Sequence, residues 1–442
     1  MKPHVPLGAF SRHLQPFRPL FGDRRLFVGF STTLHGLLAS GGLRLSQIAR
    51  CAPRTTCTEH AERRLRRLIH NQNARADLRP IRLTETLTEV GARRMAGSDE
   101  VLVMLDESDL RKPHSEQLEY LDQVRALNGS PVRGFHTLTA LGIASNRTRA
   151  LLYQTSFSTL APRFRSKNAE YRAAVLAVKN ALAQQGVTRL IWVLDRGFDA
   201  IDFLRFLHQQ GQMFVVRSAH PDRTVRLDVG LPSMPLERAL DQASRLTTLS
   251  VEKAVFDRAT KRRTTLLKVH VHGCAVHLPG PSPLVCTAVR LEAGALQDRG
   301  WVLLSNLHLP ESDVAARAGL ATRLIQAYRQ RWAIEDVFAW TKGVLKWESV
   351  RVLHFEGLRV LVACAWIVAT FLFELGATLD DRQLQLLAHL GGWRRQAKHP
   401  PGKRVLTWGL ERLAVYLMLQ EQRSEPQRRE EIDALLVELF AP

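Results

Sequence analysis

The stretch VLVMLDESDL, Val101–Leu110, decides how the chain is read. Five apolar residues, Val101 to Leu105, run without a break into Asp106, the pattern of a buried strand with an acid at its exit. A second run of this kind lies in RLIWVLDRGFDAIDFLRFLHQQG, Arg189–Gly211, where Leu190 to Leu194 lead into Asp195 and a helix closed by Gly211 follows. Between the two, HTLTALGIAS and RALLYQTSFS read as further strands and AEYRAAVLAVKNALAQQG as a helix ending at Gly186; MFVVRS beyond Gly211 is another strand. Strand, strand, strand, helix, strand, helix, strand predicts a mixed α/β layer with helices on a central sheet. Ligands of such sheets gather at carboxyl ends of strands, so Asp106 and Asp195 are expected to face one another across a site. Each acid also has a plainer reading. Asp106 could cap a turn while Asp109 serves as the ligand; Asp195 could pair with Arg196, and Asp199 could cap the next helix.

Downstream, the pattern from about Arg223 to Gly300 turns β-rich and loop-rich, with TTLLKVHVHG, CAVHLPGPSP and LVCTAVRLEAG as its strands, and reads as an inserted β subdomain. WVLLSNL, from Trp301, reads as a last strand returning to the main layer. A long helix or helix pair follows, and within it YRQRWAIEDVFAWTK, Tyr328–Lys342, spaces four polar residues regularly. At roughly 100° per residue, Tyr328, Arg331, Glu335 and Lys342 fall within an arc of about 60°. Ile334, Val337, Phe338 and Thr341 form the opposite, core-facing side, so the polar stripe is expected to look outward, toward solvent or a ligand. Alone it would be a solvated face whose Arg331–Glu335 pair contributes a few tenths of a kcal/mol, ~0.2–0.5.

Upstream, GLRLSQIARCAPRTTCTEHAERRLRRLIHN resembles a helix-turn-helix: Ser46 caps a short helix through Arg50, Pro53 ends it, and Thr56-x-x-Glu59 opens a second helix. Ala61, Leu65 and Leu68 form its inner face, and Arg63, Arg64, Arg66 and Arg67 its outer one, either a DNA-recognition surface or a solvated basic face. Lys and Arg number 62 against 42 Asp and Glu, giving +20 and a sequence pI of about 10.5. That excess favours a polyanionic partner, nucleic acid first and an anionic membrane surface second. VLVACAWIVATFLF, Val360–Phe373, falls short of the roughly 20 apolar residues a bilayer needs and reads as a buried core helix, so no membrane partner is expected. The basic N-terminus has no apolar core of a signal peptide. Five scattered cysteines without a CxxC pair suit a reducing cytoplasm; Cys51, Cys57 and His60 match no zinc module.

Three carboxylates from two strand ends and a helix, Asp106, Asp195 and Glu335, would repel one another unless a cation joined them, and divalent magnesium suits such oxygen donors. The spacing Tyr-x2-Arg-x3-Glu-x6-Lys at Tyr328, Arg331, Glu335 and Lys342 is similar to the signature of DDE cut-and-paste insertion-sequence transposases, and LDESDL and LDRGFD resemble that family's first-acid and second-acid strands. Ser108 stands where relatives often carry threonine. The resemblance covers roughly residues 96–376 and implies an α/β, ribonuclease H-like mixed sheet with flanking helices, interrupted by the β-rich insertion, with helical N- and C-terminal regions. It implies that Asp106, Asp195 and Glu335 are catalytic and hold the metal, Mg2+ with Mn2+ able to substitute. It also implies that Tyr328, Arg331 and Lys342 contact the DNA backbone and that Trp301 stacks on a flipped base, although a strand-opening tryptophan also suits a core. The expected divisions are a helical DNA-binding domain at 1–95, joined by Arg63, Arg64 and Arg67 to DNA; the catalytic domain at 96–222 and 301–376; the insertion at 223–300; and a C-terminal helical region at 377–442, a possible dimerisation element. The implied partners are double-stranded DNA, namely the element's terminal inverted repeats and the target, with a homodimer on DNA in the cytoplasm, associated with the nucleoid. The alternatives are a ribonuclease H-like nuclease that does not join strands, and a non-catalytic DNA-binding descendant of a transposase. The Arg331–Glu335 spacing suggests that the pair holds the carboxylate in place until magnesium and DNA arrive.

Overall fold

In the computed structural model the described residues are 5–52, 57–70, 74–126, 129–253, 265–280, 284–293, 300–393 and 405–413. The N-terminal region is helical: α1 (Val5–His13), α2 (Arg24–Ser40), α3 (Leu45–Cys51), α4 (Thr58–Ile69) and α5 (Pro80–Arg93). Ser46 is not a cap as expected. Leu45, which is buried, already opens α3, and Arg44 occupies the cap position without a side-chain hydrogen bond. Pro53 and Thr56 lie outside the described residues, and α4 begins after Cys57.

β1 (Val101–Arg111), β2 (Asp122–Arg125), β3 (Pro131–Ala144) and β4 (Arg149–Phe157) come next, then α6 (Lys167–Gln184), β5 (Leu190–Leu194), α7 (Ile201–Gln209) and β6 (Met213–Arg217). Gly186 and Gly211 follow the two helices at φ +78° and +67°, left-handed positions where glycine costs least. β3 pairs antiparallel with β1 and β4, while β1, β5 and β6 run parallel. The order β4-β3-β1-β5-β6 with these directions is the ribonuclease H-like sheet.

β7 (Thr224–Val225) and β8 (Met234–Pro235) make a small separate pair beside α8 (Leu236–Asp241). β9 (Arg245–Lys253), β10 (Thr265–Leu278) and β11 (Leu284–Ala293) do not form an isolated layer. β12 (Val302–Ser305) pairs with β6 on one side and β11 on the other, so the meander of β9 to β11 extends the central sheet to ten strands. α9 (Val314–Arg329), α10 (Trp332–Gly343), α11 (Phe355–Thr378) and α12 (Asp381–Leu390) follow, and residues 405–413 are helical. The KHPPGKR loop and most of the expected C-terminal region lie outside the described residues.

Two hydrophobic cores sit on opposite faces of the sheet. Met104, Val193 and Val215 face the side of α9, α10 and α11; Val103, Leu105, Trp192 and Leu194 face α6 and α7. The alternation of strand side chains makes this division. α11 is long and apolar enough by composition to cross a membrane, but 83% of its most apolar window is buried within the protein, where it packs on β4, α5, α2 and α4. α5 approaches β4 closely because Gly91 has no Cβ; one built there would stand 2.1 Å from the Leu151 carbonyl oxygen.

Candidate active site

β1 and β5 are in parallel register from Val101↔Leu190 to Leu105↔Leu194, so Asp106 and Asp195 are the next residues on neighbouring strands. Asp195 leaves its strand there, as expected. Asp106 does not: β1 continues to Arg111, and the site opens at this point because β5 stops, not because β1 does. The strand pleat places Asp106 on the same face as Met104, toward α9 and α10. Asp109 belongs to the alternate set and lies directly opposite His136 of β3.

The helical stripe differs from its expected form in two ways. Tyr328 and Arg331 are not on one continuous helix with Glu335, because α9 ends at Arg329 and α10 begins at Trp332. The junction is closed by tight i→i+3 hydrogen bonds, Arg331 N–H to the Tyr328 carbonyl and Ile334 N–H to the Arg331 carbonyl. The stripe also faces inward. Tyr328 is 2% exposed and Arg331 8%, because both reach the acids on the sheet.

The Tyr328 hydroxyl donates to Asp195 Oδ1 at 3.0 Å. Arg331 donates through Nη1 to Asp106 Oδ2 at 3.1 Å and through Nη2 to Glu335 Oε1 at 2.5 Å. One guanidinium thus ties the strand acid to the acid in the first turn of α10. Burial pushes the Asp106 carboxyl up to about 7; Arg331 opposes that rise, and Asp195 and Glu335 add to it. Burial works against the Arg331 charge, but Asp106, Asp195 and the hydrogen bond to Glu335 outweigh it and raise its pKa. Burial and then Asp195 hold the Tyr328 phenol protonated, up to about 12.

Two of the three carboxylates are bridged by one guanidinium, the third is held by Tyr328, and Arg331 Nε, although buried, has no hydrogen-bond partner among the described residues. The donor set is oxygen-only and short of positive charge, which suits a divalent cation chemically. As placed, no three His, Cys, Asp or Glu side chains among the described residues are grouped to hold an ion, and Arg331 bridges two of these acids. Holding a metal here requires that bridge to open.

Trp301, partly buried before β12, packs edge-on against Tyr328 at 5.3 Å between centroids, and the Arg217 guanidinium lies 5.8 Å from its ring. Arg217 was not foreseen, yet it follows the same rule as the acids: β5 and β6 are in register through Leu194↔Val216, so Arg217 ends its parallel strand beside Asp195. Lys342 lies farther along β1. Its ammonium is 5.9 Å from the Trp347 ring, and burial lowers its pKa, with Glu348 opposing and Arg111 assisting. Arg63, Arg64 and Arg67 are exposed on α4 and contribute nothing to this cluster; Arg63 faces Glu59 at 3.8 Å. Asp199 does not cap α7, whose cap position is Ala200. It is buried, meets Arg223 at 2.9 Å, and accepts from the Ser218 hydroxyl and the Ala219 N–H.

No curated protein matches the chain. Residues 163–370, which include Asp195, Trp301, Tyr328, Arg331, Glu335 and Lys342 but begin after β1, match the family model of the transposase DDE domain. Over that stretch, a little under half of its length, the chain is similar to the transposase DDE domain, and the ribonuclease H-like sheet around it brings Asp106 to Asp195 and Glu335.

Proposed function

We propose that the protein binds the ends of its own mobile element and catalyses strand cleavage and strand transfer there, with Asp106, Asp195 and Glu335 as the catalytic acids. The supporting observation is the convergence of the three: Asp106 and Asp195 side by side on parallel strands, and Glu335 tied to Asp106 through Arg331. Mg2+, or Mn2+ in its place, held by these carboxylates would neutralise charge on the phosphate and activate the attacking oxygen.

The chain's own groups prepare the phosphate. Arg331 exchanges its carboxylate partners for the phosphodiester oxygens, for which its planar fork is equally suited. Tyr328 keeps its proton and so remains a donor while it positions Asp195. Trp301, held against Tyr328, offers a ring for a base turned out of the helix. In the first displacement a water oxygen bonds to phosphorus as the bridge to the 3′-oxygen breaks, leaving a 3′-hydroxyl and a 5′-phosphate. In the second that hydroxyl oxygen bonds to the phosphorus of another phosphodiester, on the opposite strand or in target DNA, as that diester's bridge to its own 3′-oxygen breaks, so a new phosphodiester replaces the old and the attacked strand leaves with a 3′-hydroxyl. Lys342 and the exposed Arg63, Arg64 and Arg67 supply backbone contacts, from a homodimer acting on nucleoid DNA in the cytoplasm. Residues 1–95 bind DNA in this division, residues 96–222 and 301–376 carry the chemistry around the 223–300 insertion, and residues 377–442 serve dimerisation.

The test compares Asp106→Asn, Asp195→Asn and Glu335→Gln with the wild-type protein on duplexes carrying the inverted repeats that flank the gene. Magnesium-dependent nicking should vanish while duplex binding persists. Normal nicking by any of the three removes that residue from the catalytic set, and nicking by the wild type without joining of the 3′ ends indicates a nuclease.

A further inference from the structure

β1 continues beyond Asp106 to a cleft of about 760 Å3 that the catalytic cluster does not use. One wall comes from Arg44 before α3 and from the end of α4, one from the end of β1 and the chain after it, and one from residues 348–354 between α10 and α11. Five cations, Arg44, Arg66, Arg111, Lys112 and Arg351, line it against two acids, Glu116 and Glu348. Three of the five are held in place: Arg66 by Glu62 at 2.7 Å, Arg111 by Glu348 at 2.9 Å, and the buried Lys112 by the carbonyls of Glu348 and Val350. Arg44 and Arg351 are exposed and have no ion pair among the described residues, and the buried Ser349 hydroxyl beside them has no hydrogen-bond partner.

We propose that this cleft holds the phosphate backbone of duplex DNA on its way to Asp106, an inference that rests on the function proposed above. A rim with surplus positive charge and two unpaired guanidiniums is suited to displacing condensed counterions from a polyanion. Its distance from the acids defines where on the DNA it acts. Asp106 and Arg111 are five residues apart on one strand, about 17 Å at ~3.4 Å per residue. That span equals about five base-pair steps at ~3.4 Å each. The cleft therefore contacts phosphates about five base pairs from the one presented to Asp106, and it joins the basic face of α4 to the catalytic cluster in one continuous path.

The experiment measures binding of a duplex of arbitrary sequence across a salt titration, for the wild type and for an Arg44→Ala/Arg351→Ala double variant whose circular dichroism and melting are checked in parallel. Both side chains are exposed, so the fold should be retained. Two lost phosphate contacts should flatten the log–log salt slope by about 2, so that between about 50 and 200 mM salt the variant loses roughly tenfold less affinity than the wild type. Phosphate-ethylation interference should weaken about five base pairs from the nicked position. An unchanged slope and affinity in the double variant, while the wild type binds and nicks DNA, overturns the cleft alone. Wild-type protein that does not bind duplex DNA overturns both the cleft and the function, and binding confined to single strands or RNA overturns the duplex assignment.

Discussion

Alternate residues of β1 carry two charged clusters to opposite faces of the sheet, and the clusters are resolved differently. Asp106 meets Asp195, Glu335 and a single guanidinium. Glu107 and Asp109 belong to the other face, near Asp122, His136 and Lys167. That second group also holds three acids, but two of them have their own donors. Lys167 meets Glu107 at 3.1 Å, and Asp122 accepts from the Gln123 N–H, the Thr159 N–H and the Thr159 hydroxyl. Burial works against the Asp122 charge, yet these bonds hold its pKa below the usual value. Asp106, by contrast, is driven up to about 7. Charge satisfied by fixed local donors maintains structure; charge left short of compensation is where a cation and a phosphate can act.

The sharpest way to break this contrast is to neutralise one acid on each face. Asp106→Asn should reduce metal-dependent nicking by about a thousandfold or more, the loss of a group acting directly on transition-state charge. Asp109→Asn, three residues on but facing His136, should keep most of the rate. Single-turnover rates on a pre-formed protein–DNA complex separate the two. Comparable losses would mean that the faces are not functionally distinct.

Next in size is an effect of pH on the metal-free protein. The Asp106 carboxyl titrates near 7 when folded and near 3.8 when unfolded, so between those values the folded chain holds a proton that the unfolded chain has released. Stability contributed by this group is therefore greatest below about pH 4 and falls as pH rises toward 7. At 1.36 kcal/mol per unit the fall is about 4 kcal/mol at most. Urea melts in a chelator should show that decline in the wild type and a flatter profile in Asp106→Asn. The same slope in both proteins would place the uncompensated charge elsewhere.

What the sequence made legible follows the same physics. Leu190 to Leu194 and the first half of β1 were readable because both are apolar runs ending at acids, and the parallel register of the two strands then fixes the site. The break between Arg329 and Trp332 was not readable, since no Gly or Pro marks it. A helical wheel assumes continuous winding, so it placed Arg331 outward; the two acids on the sheet, Asp106 and Asp195, supply the tertiary attraction that turns it inward. Asp199 resembled a helix cap in the sequence because its partner Arg223 is distant along the chain. The extension of the sheet by β9 to β11 was hidden for the same reason, as strand patterning reports which faces are buried and not which neighbour a strand pairs with.

On the structural face, Asp122→Ala should cost stability more than catalysis. The change leaves the Thr159 N–H and hydroxyl without their acceptor in a half-buried position, a loss of about 2 kcal/mol. Denaturant midpoints should shift while the nicking rate of the folded fraction stays near wild type. A catalytic defect in fully folded protein would join Asp122 to the reactive face.

The smallest expected effect is that of Lys167→Met. Lys167 meets Glu107 at 3.1 Å and lies 3.4 Å from His136 Nδ1, but its side chain is 41% exposed, so water already screens the pair. Its removal should cost no more than about 0.5 kcal/mol. The informative readout is instead His136. Burial lowers its pKa, and the neighbouring ammonium lowers it further, while Glu107, Asp122 and Asp109 pull the other way. Without Lys167 the imidazole should titrate at higher pH, which proton NMR of the ring can follow. A rise in the His136 pKa with nicking unchanged would show that this face can exchange charge without reaching Asp106 across the strand. A rise accompanied by altered nicking would mean that the two clusters are coupled through β1, and the division drawn between them would fail.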